Sequence, residues 1–269
     1  MSIHGRGGSG PGTSKSGGVV DDNDTPVADC RICQYRLNLL LGGRCSPGEA
    51  CVVAESGRQI DRFFKLNPEL AARYLNDVFW ERRAIAVRYA PLQQLSPLIN
   101  DKDEVVRRAV AYRLPPAQLG ALAIDPDREV RITVADRIAV DELEQLAGDT
   151  DYLVRAYVAQ RLPTGRLFRM IRDPDRQVRK IVAHRLPQVS LGLMATDSEP
   201  EVRRVVASRL NPNDLDLLLE DPDWTVRLTA VERAPVEALV GMITDSDEEV
   251  RRAVTDRLES RDLSSESTR

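Results

Sequence analysis

The phrase D-x-[DE]-x-x-V-R recurs along this chain at an unbroken interval of 24 residues, and few folds accept such a pattern. Each copy opens on an aspartate and carries Val-Arg at its sixth and seventh positions. The opening residues are Asp101, Asp125, Asp149, Asp173, Asp197, Asp221 and Asp245, and a degenerate eighth copy begins at Asp77. A fixed period of this length predicts a stacked array of repeats rather than a conventional globular core.

Each copy contains the signals of one α-helix. In the segment 125–127 (Asp-Pro-Asp), the first aspartate is suited to N-cap a helix, the proline to the first helical position, and the second acid to the positive end of the dipole. Val130, Val134 and Ile138 then fall on one side of the helix. Pro163 is expected to end its helix at Leu162, because a proline disfavours helical geometry in the residue before it. The pattern predicts α-helices of about 12 residues.

The other half of each repeat carries two apolar residues three positions apart, a spacing that suits a 3₁₀ helix as well as an α-helix. These pairs are Leu119/Leu122, Leu143/Leu146, Leu167/Met170, Leu191/Met194, Leu215/Leu218 and Leu239/Met242. One repeat has too little apolar surface to be ordered alone, so neighbouring repeats must stack and share one continuous core. The predicted fold is an all-α solenoid of eight repeats over residues 76–260.

The chain outside the repeats divides into three parts. Residues 1–25 are rich in glycine and serine, which predicts a flexible tail, and residues 261–269 form a second, shorter tail. Residues 26–75 contain every cysteine of the chain and form the predicted cysteine domain.

The cysteines follow the pattern Cys30-x2-Cys33-x11-Cys45-x5-Cys51. Thiols clustered in one short segment indicate a metal site rather than a disulfide framework. Four thiolates suit either a structural Zn²⁺ or an iron-sulfur cluster. The wide spacing of the second pair favours iron-sulfur, since zinc ribbons commonly show two C-x2-C pairs, and zinc stays the alternative. The glycines at 42–43 fit either a close approach of the backbone to a cluster or a helix C-cap.

Composition narrows the classes of function. The formal net charge is −4, so the chain has no global basic field for nucleic acid or an anionic membrane. No stretch is apolar enough to span a bilayer and no secretory signal begins the chain, so we expect a cytoplasmic protein that does not engage membranes. Neither a phosphate-binding glycine loop nor a Ser/His/Asp set is present, and we expect no enzymatic activity.

Two ladders of arginine run through the repeats, one directly after each valine and one six residues later, at Arg113, Arg137, Arg161, Arg185, Arg209, Arg233 and Arg257. They suggest either a basic groove for nucleic acid or pairing between repeats, with aspartates and with helix C-termini. Residues 77–260 contain 27 Lys and Arg against 32 Asp and Glu, which favours pairing within the array.

A four-cysteine segment followed by 24-residue D-P-D-x-x-V-R-x-x-V-A-x-R-L-P repeats resembles the leucine-rich repeat variant proteins of nitrogen-fixing bacteria. The likeness covers nearly everything after the first tail. It implies a right-handed superhelix of alternating α and 3₁₀ helices, with a 4Fe-4S cluster held by the segment before the repeats. By position, the resemblance assigns the cluster ligands to Cys30, Cys33, Cys45 and Cys51.

Three functions are consistent with these features. The first is a non-enzymatic 4Fe-4S protein that transfers electrons or senses redox state while its solenoid docks an unidentified protein partner. The second is a structural scaffold with a zinc-bound four-cysteine cap. The third is a helical solenoid that binds nucleic acid through its arginines, which the charge balance disfavours.

Overall fold

The computed structural model describes residues 19–20 and 26–266, and it describes side chains for residues 27–260. Two compact units are present, one ending at Leu114 and the other beginning at Pro115. The predicted tail over 1–25 lies outside the described residues, except that the strand β1 (Val19–Val20) pairs antiparallel with β2 (Pro26–Val27). None of the described helices is both long and apolar enough to cross a membrane.

The first unit combines the cysteine segment with the first two repeats. A π-helical turn at Arg36–Leu40 is followed by three α-helices. They are α1 (Gly57–Leu66), α2 (Trp80–Tyr89) and α3 (Glu104–Arg113), and 3₁₀ segments connect them at Pro68–Tyr74, Leu92–Gln94 and Ser96–Asn100.

The second unit continues the same alternation of α-helix and short 3₁₀ segment. Its α-helices are α4 (Arg128–Arg137), α5 (Tyr152–Arg161), α6 (Arg176–Arg185), α7 (Pro200–Arg209), α8 (Asp216–Leu219), α9 (Trp224–Val231) and α10 (Glu248–Glu266). Its 3₁₀ segments are Pro116–Gln118, Gly120–Ile124, Leu143–Leu146, Thr164–Met170, Gln188–Met194, Pro212–Asp214 and Val236–Met242. The predicted all-α fold and its two kinds of helix are confirmed.

The periodic apolar positions form the core of each unit. Val130, Val134 and Ile138 are fully buried, as are the valines that precede arginine in the other regular copies. The predicted pairs of apolar residues three positions apart are buried too, with Met242 as the half-exposed exception. The predicted stripe is therefore the surface on which neighbouring repeats stack.

The helix starts differ from the prediction by two residues. Helix α4 begins at Arg128, and its N-cap is Asp127, whose carboxylate accepts hydrogen bonds from the N–H groups of Glu129 and Val130. The prediction that Asp125 caps the helix was wrong: its carboxylate accepts from the N–H of Asp127, 2.9 Å away. Most of the regular helices span 10 residues rather than about 12 because the cap lies later in the phrase.

Within the two units, the first aspartate of a copy instead pairs with an arginine of the preceding copy. Arg155 donates from Nε to one carboxylate oxygen of Asp173 (2.7 Å) and from a terminal nitrogen to the other (2.9 Å). The same guanidinium donates to the main-chain oxygen of Asp149 at 2.7 Å. Equivalent pairs within the units are Arg83–Asp101, Arg131–Asp149, Arg179–Asp197, Arg203–Asp221 and Arg227–Asp245.

The second arginine ladder binds the ends of helices. Arg161 donates to the main-chain oxygens of Ala135 (2.7 Å) and Ile138 (2.8 Å), at the C-terminus of the preceding repeat's helix. Arg185, Arg209, Arg233 and Arg257 make the same contacts one repeat further along each time. Pairing of both ladders within the array is therefore confirmed.

Helix α10 continues to Glu266, six residues beyond the predicted end of the repeats at residue 260. Its sequence explains the extension. In five of the eight copies a proline follows the residue at which the helix ends, whereas Glu259 follows Leu258 here and no proline interrupts the helical backbone.

Candidate metal centre

The first two cysteines lie on a tight turn. The N–H of Cys33 donates to the main-chain oxygen of Cys30 (3.4 Å), and the N–H of Arg36 donates to that of Cys33 (3.1 Å). The turn continues directly into the π-helical segment Arg36–Leu40. Two intervening residues are enough to close this turn, so the C-x2-C spacing brings both thiols to the same end of the segment.

A glycine cap ends the π-helical segment and leads the chain to the third cysteine. Gly43 has a φ of +67°, which a residue with a side chain rarely adopts. Its N–H donates to the oxygen of Leu40, and the N–H of Arg44 donates to that of Leu39 (2.8 Å). These two bonds form a Schellman motif. The helix C-cap, one of the two roles considered for this glycine, is therefore its role, and Cys45 follows two residues later.

A small hairpin separates the last two cysteines. Ser46 and Ala50 pair as an antiparallel bridge, with N–H···O distances of 2.9 and 3.0 Å in the two directions. Pro47 and Gly48 form its turn, and the φ of +75° at Gly48 is the value that a type II turn requires there. The five residues between Cys45 and Cys51 thus complete one hairpin, which places the two thiols at its open end.

Two further contacts fix the hairpin to the rest of the unit. The N–H of Cys51 donates to the main-chain oxygen of Gln59 in α1 (3.1 Å). The side-chain nitrogen of the fully buried Asn67 donates to the oxygens of Arg44 and Phe63, both at 2.8 Å. Asn67 therefore ties the residue before Cys45 to the C-terminus of α1, a role that no sequence pattern indicated.

All four cysteines line one pocket, and none of them forms a disulfide. Apolar side chains make up much of the rest of the wall, among them Tyr35, Leu40, Ala50, Val52, Val53 and Phe63. Burial raises the pKa of the Cys30 thiol, and the charges of Cys51 and Cys33 raise it further. The pKa of Cys45 is raised in the same way, by burial and then by Cys51, Cys33 and Cys30. The four sulfur atoms are thus close enough to affect one another's ionisation.

The donor set fits a group bound by four thiolates. It is composed of cysteine alone, it is half-buried to buried, and it faces a largely apolar wall. Among the residues that the structure describes, no three His, Cys, Asp or Glu side chains converge on a point that would hold a single metal ion.

Aromatic residues form the wall between the pocket and the first repeat. The ring centroids of Tyr35 and Phe63 lie 5.5 Å apart, those of Phe63 and Phe64 5.6 Å, and those of Phe64 and Tyr74 5.4 Å. The hydroxyls of Tyr35 and Tyr74 share a buried hydrogen bond of 2.8 Å, and burial followed by this bond raises the pKa of Tyr74. The sequence did not indicate this cluster, because aromatic residues are few and its members lie far apart in the chain.

Comparisons with known proteins found matches to both the cysteine segment and the repeats. A family described as the LRV protein FeS4 cluster matches residues 25–73, and one described as leucine rich repeat variant matches residues 105–127, 152–175 and 224–247. An uncharacterized 27.7 kDa protein from the nifB 3′ region of Rhodobacter capsulatus is 39% identical over 89 residues, which are 33% of this chain. The match spans 36% of that relative's length.

A solved structure shows a more extensive likeness. It is described as a leucine-rich repeat variant with a novel repetitive protein structural motif, and it is 68% identical to this chain. The match covers 87% of this chain and 100% of the other, with a TM-score of 0.83. Because the likeness extends over the whole of that protein at this identity, the chain belongs to the leucine-rich repeat variant family.

Proposed function

We propose that this protein binds a 4Fe-4S cluster through Cys30, Cys33, Cys45 and Cys51 and acts as a redox-linked scaffold for another protein. The observation that carries the proposal is the single pocket that all four thiols line. The match of this segment to a family described by its FeS4 cluster supports the same cofactor. When bound, such a cluster supplies one-electron transfer.

The protein's own residues contribute position and environment. The Cys30–Cys33 turn and the Ser46–Ala50 hairpin each present two thiols, and the contact from Cys51 to Gln59 anchors the second pair to α1. The apolar wall restricts water at the pocket, which makes electrostatic interactions with a bound group stronger than in solvent. A redox-sensing role is included in the proposal, since the same one-electron change serves a sensor or a carrier.

The repeats are proposed to dock a protein partner in the cytoplasm rather than to catalyse a reaction. The arginines that could bind nucleic acid are already engaged within the array, which supports a protein partner instead. One ladder is engaged by buried carboxylates, as in Arg155–Asp173, and the other by helix C-termini, as in Arg161–Ile138. An array held together in this way presents a stiff surface suited to protein contacts.

Purification without oxygen, followed by iron and acid-labile sulfide assays and EPR of the reduced protein, tests the cofactor. We expect about four irons and four sulfides per chain. Serine at any one of the four cysteines should reduce both contents, whereas the matched control Gln34→Ser, at an exposed position beside Cys33, should leave them unchanged. A colourless protein that contains one zinc would contradict the cluster and establish the zinc-capped scaffold instead.

A further inference from the structure

Three large apolar side chains next to the cysteines in sequence are exposed. Ile32 is 86% exposed, Leu37 81% and Leu41 76%. Ile32 lies between the first two cysteines, while Leu37 and Leu41 are four residues apart on the helical segment that links the second cysteine to the third. Three such residues within ten positions form an exposed apolar surface at the metal centre, and surfaces of this kind mark sites of association.

The position of this surface follows from the residues between its members. Leu39, in the middle of the segment, is buried, and Leu40 lines the pocket of the four thiols. Leu37 within this segment and its C-cap residue Leu41 are exposed instead. A protein that covers these two leucines therefore approaches the thiols to within the thickness of one helical segment.

The charge of this segment differs in sign from that of the whole chain. Residues 30–48 contain three arginines and no acidic residue, although the net charge of the protein is −4. Arg31 pairs with Asp29, and Arg44 pairs with Glu69. The exposed Arg36 lines the thiol pocket, and its guanidinium donates to the main-chain oxygen of Arg31 (3.4 Å) rather than to a carboxylate among the described residues. The Arg36 charge acts on the nearby Asp29, but that carboxylate is hydrogen-bonded to Arg31, so the exposed Arg36 guanidinium can still attract an acidic partner.

We propose that the docking face, defined as Ile32, Leu37, Leu41 and Arg36, binds a small acidic electron-carrier protein. This inference rests on the proposed function, because it gives the cluster a partner with which to exchange electrons. A small apolar centre with a charge beside it is typical of transient redox complexes, which bury little area. Opposite charge then increases the rate of encounter without making the complex permanent.

The test compares two electron acceptors of opposite charge. The dithionite-reduced, cluster-loaded full chain is mixed in a stopped-flow instrument with oxidised plastocyanin, an acidic copper protein, or with oxidised cytochrome c, a basic haem protein. Each acceptor takes up the one electron that the reduced cluster loses, so that Cu(II) becomes Cu(I) or Fe(III) becomes Fe(II) while the cluster is oxidised. We expect plastocyanin to react faster, and we expect its rate to fall roughly tenfold as the salt concentration is raised from low to physiological values.

Variants test whether the docking face causes the faster reaction with plastocyanin. Arg36→Glu should slow the reaction with plastocyanin about tenfold and accelerate that with cytochrome c. The double variant Leu37→Ser/Leu41→Ser should slow the plastocyanin reaction at every salt concentration. The matched control is Val189→Ser/Leu193→Ser, which removes two exposed apolar side chains with the same spacing from the second unit and should have no effect.

Binding is measured separately from electron transfer. Zinc-substituted plastocyanin accepts no electron, and its NMR signals should shift on addition of the wild-type chain and shift less with Arg36→Glu. Equal rates with both acceptors, or variants that behave like the wild type, would overturn the docking face. So would sedimentation showing a dimer that Leu37→Ser/Leu41→Ser converts to a monomer, because a second copy would then cover the leucines.

Failure of the cofactor proposal has a different signature. Iron and sulfide contents are determined on every variant before mixing. A wild-type chain without iron contradicts the proposed function itself, whereas a fully loaded chain that shows no preference for the acidic acceptor contradicts only the docking face.

Discussion

Replacing Asp173 with alanine removes one half of a buried ion pair in the middle of the second unit. The side chains of Arg155 and Asp173 are only 9% and 4% exposed, and two parallel hydrogen bonds join them. The Asp173 carboxylate also accepts from the N–H of Asp175 at 2.9 Å. The substitution therefore leaves a buried guanidinium without its counter-ion and a helix start without one of its acceptors.

Loss of one partner from a buried pair costs about 3–5 kcal/mol. Arg155 retains hydrogen bonds to the main-chain oxygens of Asp149 (2.7 Å) and Thr150 (3.3 Å), which places the expected cost near the lower end of that range. The exposed pair Arg252–Glu249 provides the matched control, since its side chains are more than half exposed and such pairs contribute about 0–1 kcal/mol.

Urea unfolding followed by circular dichroism measures the free energy of unfolding for each variant. A double-mutant cycle with Arg155→Met isolates the pair, and the double variant should cost less than the sum of the single variants by about 1–3 kcal/mol. A loss below about 1 kcal/mol for Asp173→Ala, similar to that of Glu249→Ala, would refute the conclusion that these pairs hold neighbouring repeats together.

Changes at Asp149, Gly43 and Asp127 should also alter the stability of the protein. Burial would raise the pKa of Asp149, but the stronger combined effect of hydrogen bonds from Arg131 and the N–H of Asp151 lowers it. The contribution of this carboxylate to stability is therefore present above about pH 4 and is lost as the pH falls through the lowered folded-state pKa. Urea midpoints measured across this range should fall less for Asp149→Asn than for the wild type. Gly43→Ala should lose about 1–2 kcal/mol of stability in thermal unfolding and bind less iron, because alanine disfavours a φ of +67°. Gly192→Ala, at an open position with ordinary backbone geometry, is the control and should leave the stability nearly unchanged. Asp127→Ala removes the N-cap of α4 and should cost about 1 kcal/mol in thermal unfolding. An unchanged stability would contradict the assigned cap.

The array was predictable because its signals repeat. The burial of Val130 and its equivalents, the helix ends before proline and the pairing of both arginine ladders all follow from periodicity and charge. The cap position did not follow, because Asp125 and Asp127 are chemically equivalent candidates within one copy. Only the contact with an arginine 18 residues earlier in each pair, as in Arg155–Asp173, distinguishes their roles, and such a contact exists only once repeats are stacked.

The grouping of the four cysteines was predictable from the sequence, whereas the contacts that support them were not. Clustered cysteines indicated a shared site, and the structure brings all four to one pocket. The aromatic wall joins Tyr35 to Tyr74, residues separated by 39 positions, through a hydroxyl hydrogen bond. Asn67 likewise acts 23 positions away, on the oxygen of Arg44. Long-range contacts of this kind depend on tertiary packing, which local patterns do not encode.

The bond from each arginine to the aspartate 18 residues later has a consequence for how such a protein can change in length. Interior copies of the second unit contribute one cation to the next copy and one anion to the copy before, as Arg179 and Asp173 do within a single repeat. Duplicating or excising a 24-residue copy therefore leaves every interior charge matched, and the apolar stripe keeps its phase. Gene duplication can adjust the number of copies without a compensating substitution, while the cysteine-bearing end stays as it is.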